Sequence, residues 1–302
     1  MRPTHVPSEH SVLLNTVLVG DSCVIAQQLP SQFANAIITS PPYFGHRQYA
    51  ADESLVQLEI GREASLSEYV ERLVKLFSAL RRVLKDDGTL WLNLGDTYRE
   101  GQLLGVPWRV AFALQADGWL LRSEIIWHKP NAMPSSVKNR PTTAHETVFM
   151  FAKQANYYYD ADAIREPHVT FTEQSRMKGG RSHFGKRDGT PENGKNRGNA
   201  NLHRARWDQA FHPMGRNKRT VWNIPLGKFR GAHFAVFPEE LVETCLLAST
   251  PEQGVVLDPF MGSGTTGVVA KRLNRNFLGI ELVPYYAHMA LQRIAQADKA
   301  LF

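Results

Sequence analysis

The chain has 302 residues, 43% hydrophobic and 21% charged, with two cysteines and a formal net charge of +6. That length gives one large α/β domain or two ordinary ones with ample core, and no stretch is apolar and long enough to cross a bilayer. Met1-Arg2-Pro3-Thr4-His5 lacks the apolar centre of a signal peptide, Cys23 and Cys245 stand far apart, and the eleven histidines form no ligand pair, so the expectation is a cytoplasmic protein with no membrane contact and no metal.

In chain order, Val17 to Gly20 and Phe33 to Ile38 read as strands, the second bounded by Ser31 and by prolines. Thr39-Ser40-Pro41-Pro42-Tyr43 follows. Two consecutive prolines stop a β-ladder because neither donates a backbone hydrogen bond, which leaves the Ser40 and Pro41 carbonyls as stiffly held acceptors beside a hydroxyl and an aromatic ring. Such a group suits a flat ring bearing an amine; strand–Pro–Pro loops also occur as plain chain stops. Leu66 to Leu84 is an amphipathic helix with Leu66, Val70, Leu73, Phe77, Leu80 and Leu84 on one face, capped by Ser65 or Ser67 and ended by Asp86-Asp87-Gly88. A strand over Thr89 to Leu94 comes next, then a helix from near Pro107 to Asp117-Gly118, and strands over Trp119 to Trp127 and Thr147 to Phe151. Trp91, Trp119 and Trp127 read as core residues, and Asp96 is either a site residue or a turn former.

From about Glu166 to Arg219 the periodicity stops, and Glu173 to Asn201 reads as a mobile or partly disordered loop. Between Asp160 and Trp222 there are 13 Lys and Arg against 7 Asp and Glu, which is the whole excess; the remainder balances at 22 against 22. A neutral scaffold carrying a basic insert fits a polyanionic partner. Beyond it come a helix from Pro238 to Ala248, a strand from Val255 to Leu257, a Gly-rich turn and helix, a strand from Phe277 to Ile280 and a last helix from Pro284. Strands alternating with helices give an α/β fold with a mostly parallel sheet covered on both faces.

Gly262, Gly264 and Gly267 follow the strand in a G-x-G-x-x-G pattern, and Glu281 ends the next strand, about where an acid meets ribose hydroxyls. The pattern fits a dinucleotide or S-adenosylmethionine. Asp258-Pro259-Phe260 favours the latter, since a carboxylate suits a sulfonium or ammonium better than a pyrophosphate. The loop also lies so late in the chain that most of the sheet must precede it, which implies a permuted order.

Together these residues resemble the amino-methylating DNA methyltransferases of the N4-cytosine/N6-adenine type, in the permuted (beta) class. Ser40-Pro41-Pro42-Tyr43 matches that family's catalytic motif, and Asp258-Pro259-Phe260-Met261-Gly262-Ser263-Gly264-Thr265 its cofactor motif. His233 to Leu241, Leu92-Asn93-Leu94-Gly95-Asp96, and Trp127-His128-Lys129-Pro130-Asn131 with His145-Glu146 resemble further family elements, in family order. The resemblance implies a Rossmann-like S-adenosylmethionine-dependent fold: residues 1–165 as the catalytic part, 166–220 as a target-recognition insert, and 221–302 as the cofactor-binding part of the same domain.

It also implies roles. Asp258, Pro259, Phe260, Gly262, Gly264 and Thr265 would shape the methionine end of the pocket, Glu281 would hold the ribose, and Asp21 would meet the adenine amine. Phe234 and Pro238 would line the pocket or the core. The Ser40 hydroxyl and the Pro41 carbonyl would accept the N–H bonds of an exocyclic amine, and Tyr43 would stack on a base flipped out of duplex DNA. No enzyme nucleophile is needed, and neither cysteine follows a proline as ring-carbon methylation would require. Arg204, Arg206, Arg216, Lys218 and Arg219, mixed with Trp207 and His212, would contact phosphate and bases. Within the family Ser-Pro-Pro-Tyr is associated with cytosine N4 and Asp-Pro-Pro-Tyr with adenine N6, so cytosine N4 is the favoured target and adenine N6 the alternative. An NAD-dependent oxidoreductase shares the Gly loop and Glu281 but leaves Ser40 to Tyr43 and the basic insert without a purpose. No nuclease motif is present, so cleavage would belong to a separate restriction endonuclease; the residues fix no oligomeric state.

Overall fold

The computed structural model describes residues 10–45, 48–167, 214–227 and 238–297. The chain divides into two units: Met1–Tyr159 with Thr220–Phe302, and Asp160–Arg219. The first begins with α1 (His10–Leu13), β1 (Thr16–Val19), α2 (Ser22–Gln28) and β2 (Ala34–Thr39). It continues through α3 (Glu53–Val56), α4 (Leu66–Val83), β3 (Leu84–Leu94), a hairpin of β4 (Tyr98–Arg99) and β5 (Gln102–Leu103), α5 (Val106–Ala116), β6 (Leu120–His128) and β7 (His145–Ala152). After Thr220 come β8 (Val221–Asn223), α6 (Glu239–Ser249), β9 (Val255–Asp258), α7 (Thr265–Arg272), β10 (Asn276–Glu281) and α8 (Pro284–Ala297).

Eight strands form one sheet in the order β1-β10-β9-β2-β3-β7-β6-β8. From β1 to β3 every pairing is parallel; β7 runs antiparallel to both β3 and β6, and β8 is parallel to β6. All six residues of β2 are buried, as a strand with both sheet faces covered requires. On one face Ile37, Leu90, Leu92, Phe149 and Phe151 pack with Ile25 of α2, with Leu73, Phe77 and Leu80 of α4 and with Val110 of α5. Packed against one another, α6, α7 and α8 form a second helical layer, in which Leu241, Cys245, Val269 and Ala290 are buried.

Ser65 caps α4 by accepting from the Glu68 amide, as expected. The end of that helix differs from expectation. It stops at Val83, and Leu84 already pairs with Ala34 as the first residue of β3. Lys85 to Gly88 bulge out before the register resumes at Ala36↔Thr89, so Asp86-Asp87-Gly88 is a bulge within the strand and not a helix end. Gly88 is needed there, because a Cβ would lie 2.8 Å from the Asn35 carbonyl oxygen.

The last two strands, β9 and β10, sit between the first two, β1 and β2. From β9 the chain proceeds through α7 to one side of the sheet, and from β2 it proceeds through α4 to the other. The carboxyl ends of β9 and β2 therefore flank the point where the winding reverses, which is where open parallel sheets form a crevice. Thr39 ends β2 and Asp258 ends β9, so the two sequence motifs emerge side by side.

Candidate functional site

A cavity of about 460 Å³ opens at this point, within the range of small-molecule sites. Ser40, Pro41, Pro42 and Tyr43 line it from the β2 end, and Asp258, Pro259, Phe260, Gly262 and Thr265 from the β9 end. Asp21 and Glu281 line it as well. The structure thus brings together both motifs and both outlying acids.

The two motifs are fastened by Asp258. Its Oδ1 accepts from the Thr39 hydroxyl at 2.7 Å and from the Phe260 amide at 3.1 Å, and its Oδ2 accepts from the Thr266 hydroxyl at 2.7 Å. Burial raises the Asp258 carboxyl above its ordinary value, and these three bonds oppose the rise. Its carboxylate therefore shapes the wall and crosslinks β2, β9 and α7, where the sequence motif pointed to an open counter-charge.

Glu281 is gripped by backbone. Oε2 accepts from the Gly262 amide and Oε1 from the Val283 amide, at 2.8 and 2.9 Å. Burial pushes this carboxyl up to about 7 despite those bonds. Asp21 caps α2 through the Cys23 amide, 2.8 Å away, and still borders the cavity. Gly264 lies just outside the lining: a Cβ there would meet the Ala290 Cβ at 2.9 Å, so its bareness serves the packing of α8. Pro238 is buried at the start of α6 and is not a lining residue, while Phe234 lies outside the described residues.

Around the pentapeptide the local geometry is tight. The Pro42 carbonyl accepts from the Tyr69 hydroxyl at 3.0 Å, whereas the Ser40 and Pro41 carbonyls have no partner among the described residues. The Tyr43 ring lies against Gly95, where a Cβ would stand 2.4 Å from a ring carbon. Tyr43 donates from its hydroxyl to Glu146 Oε2 at 2.7 Å, and Ser40 Oγ lies 3.2 Å from the same hydroxyl. Asn93 Nδ2 reaches Glu146 Oε2, the Tyr43 hydroxyl and Ser40 Oγ at 2.9, 2.8 and 3.3 Å. Lys129 pairs with Glu146 Oε1 while its ammonium sits 4.5 Å from the Trp127 ring centre.

Several of these residues carried a signal that composition alone missed. Asn93 is the polar interruption in Leu90 to Leu94, and Lys129 and Glu146 lay in family-like stretches without assigned roles. Glu59 gave no signal, yet it is 5% exposed and lines the cavity. Its Oε1 accepts from the Tyr49 and Ala50 amides, and its Oε2 has no partner among the described residues. A buried carboxylate oxygen without a donor is costly, and a bound cationic group would relieve that cost. Asp96 resolves as a turn former, accepting from the Thr97 and Val106 amides at 2.9 and 3.0 Å.

In the second unit Glu166 accepts from the Arg216 and Arg219 side chains at 3.2 and 2.9 Å and from the Arg219 amide at 3.1 Å. Burial raises the Glu166 carboxyl, but these bonds and charges outweigh it and hold it below its ordinary value. Two of the basic residues singled out in the sequence are thus already ion-paired. Arg204, Arg206, Trp207 and His212 lie outside the described residues.

Comparison with known proteins agrees with this architecture. The model of a DNA methylase family matches residues 34–292, and the chain belongs to that family. It is 41% identical to the type II methyltransferase M.Cfr9I of Citrobacter freundii, over 94% of this chain and 88% of that protein. It is 39% identical to M.SmaI of Serratia marcescens, over 92% and 90%. Among solved structures, the cytosine-N4-specific PvuII DNA methyltransferase aligns with a TM-score of 0.64 at 20% identity, over 94% of this chain and 91% of that one. A putative DNA modification methylase from Thermus thermophilus, complexed with S-adenosyl-L-methionine, aligns at 0.60 and 24% identity, over 93% and 95%. These two likenesses concern the fold. The α/β sheet with helices on both faces and strands in permuted order is that of S-adenosylmethionine-dependent methyltransferases.

Proposed function

We propose that the chain is a site-specific DNA methyltransferase acting on the exocyclic N4 amine of a cytosine turned out of duplex DNA. The observation that carries this reading is the Thr39–Asp258 hydrogen bond, which joins an amine-accepting loop to a Gly loop across one cavity. S-adenosylmethionine, when bound, supplies an electrophilic methyl group on sulfur. The residues present fit it: Glu281 for the ribose hydroxyls, Asp21 for the adenine edge, and the unpartnered Glu59 oxygen for the ammonium.

An exocyclic amine on a nucleobase is a poor nucleophile because its lone pair is shared with the ring. Ser40 Oγ and the open Pro41 carbonyl accept its N–H bonds and draw the nitrogen toward a tetrahedral form, so its lone pair is directed by position. Tyr43 offers a ring face to the displaced base. A serine hydroxyl, unlike a carboxylate, does not repel the carbonyl and ring-nitrogen lone pairs of cytosine, which supports cytosine over adenine. Arg216, Lys218 and Arg219, with Arg204 and Arg206, supply phosphate contacts, and a separate restriction endonuclease is the companion this reading implies.

The test is incubation with duplex DNA and labelled cofactor, followed by digestion to nucleosides. N4-methylcytosine is the expected product. N6-methyladenine overturns the target base, and no incorporation into any DNA overturns the substrate.

A further inference from the structure

Methylation of an amine has a proton to dispose of. The bond from nitrogen to the methyl carbon forms as the carbon–sulfur bond breaks, with its electron pair staying on sulfur. The nitrogen, left cationic, must then release one N–H proton to an acceptor. The direction of the hydrogen bonds around Ser40 identifies that acceptor.

Tyr43 has a single hydroxyl proton, and it is donated to Glu146 Oε2. In the 3.2 Å contact between Ser40 Oγ and Tyr43 the serine must therefore be the donor. Asn93 Nδ2 lies within donating reach of the Tyr43 oxygen at 2.8 Å, of Glu146 Oε2 at 2.9 Å and of Ser40 Oγ at 3.3 Å, and as an amide nitrogen it accepts nothing from any of them. The two hydroxyl donations thus run one way, from Ser40 through Tyr43 to Glu146, with Asn93 donating to the chain from the side. With its only proton committed inward and one lone pair facing Asn93 Nδ2, Ser40 Oγ has its second lone pair left to accept from a group in the cavity it lines. Burial and then the Glu146 charge push the Tyr43 phenol well above its ordinary value, so it keeps its proton and serves as a link. Lys129 holds the other oxygen of Glu146, and its own place is fixed over the Trp127 ring, whose indole N–H is bonded to the Ile224 carbonyl at 2.7 Å.

We infer that Glu146 is a positioning residue with two effects: it sets the polarity of the Glu146–Tyr43–Ser40 chain so that Ser40 meets the target amine as an acceptor, and it takes up the proton the methylated nitrogen releases. The nitrogen proton passes to Ser40 Oγ, the serine proton to the Tyr43 oxygen and the tyrosine proton to Glu146 Oε2, leaving Ser40 and Tyr43 neutral and Glu146 protonated. The inference rests on the amine-site reading above.

Its test uses the full chain, a duplex DNA that the native protein methylates, and Glu146→Gln, Tyr43→Phe and the double variant. Single-turnover methylation is expected to slow by roughly 10²-fold in Glu146→Gln, within the range of a lost general base. S-adenosylhomocysteine and DNA affinities are expected to stay within about twofold, since the amide keeps the shape. Because both residues act through one chain, the double variant is expected to be no slower than the slower single variant. A native rate in Glu146→Gln overturns the inference, as do losses that multiply in the double variant, or ligand affinity and melting midpoint that fall along with the rate. Ser40→Ala separates the two levels. If it is inactive while Glu146→Gln is fully active, only the inference fails; if it is fully active, the amine-site reading fails first.

Discussion

Gly95 lacks a side chain because the ring of Tyr43 occupies the space one would need. Gly95→Ala is therefore expected to displace the ring by about 1 Å and to slow methylation by roughly 10²-fold, the usual result of misplacing a reacting group by that much. Single-turnover rates check this, with S-adenosylhomocysteine affinity expected to stay native. Glu281 makes a second case at the same scale. With its carboxyl at about 7, the empty protein holds it increasingly neutral as pH falls below that value. Hydroxyl donors favour the ionised form, so cofactor affinity is expected to drop by up to about tenfold per pH unit below 7. Calorimetry with S-adenosylhomocysteine between about pH 5.5 and 8.5 measures it, and a flat native profile contradicts the ribose role. The same raised value has an opposite effect on the empty fold. The unfolded chain ionises first, so stability is lost as pH climbs from the ordinary carboxylate range through 7.

At the level of elements, α8 does more than cover the sheet. Arg293 donates to the Ser263 carbonyl, the Ser263 hydroxyl and the Thr265 hydroxyl, and pairs with Glu239 of α6 at 2.8 Å. Two helices thereby brace the Gly loop. Arg293→Met is expected to weaken S-adenosylhomocysteine binding about tenfold through lost preorganisation and to lower the melting midpoint by a few degrees; titration and thermal unfolding read the two effects. This brace was not legible in the sequence, where Arg293 is one cation on an amphipathic helix. What was legible had strong periodicity: the Leu73, Phe77, Leu80 face of α4 and the apolar run of β2 stand where their patterns put them. Elements with little pattern were missed. α2 has seven residues and is anchored by Asp21, which the sequence offered only as a ligand, and β8 has three residues defined by pairing with β6. Asp86-Asp87-Gly88 misled because turn residues mark a bulge as readily as a helix end. The site was half legible for a related reason. Its acceptors lie in one contiguous motif, but Asn93, Lys129, Glu146 and Glu59 reach it from two strands and two loops that only the tertiary fold brings together.

Across the whole chain, the net +6 resides in the segment whose described cations are partly spent on Glu166. DNA binding is expected to weaken as salt rises, and Arg216→Ala with Arg219→Ala to reduce the logarithmic salt slope by about 2 or less, the shortfall measuring how firmly Glu166 retains them. Equilibrium binding from about 50 to 200 mM salt gives both slopes. The position of β9 and β10 between β1 and β2 has a consequence for biosynthesis. Thr16 pairs with Leu278, and Ile37 with Leu257, so the two strands that join β1 to β2 are synthesised after the other six strands of the sheet. Until then β2 presents an unpaired apolar edge, the kind of surface that invites aggregation and holds folding back. Nascent chains halted before residue 255 are accordingly expected to remain chaperone-bound and protease-sensitive, and the fold to close in a single late step when the final strands slot into the gap.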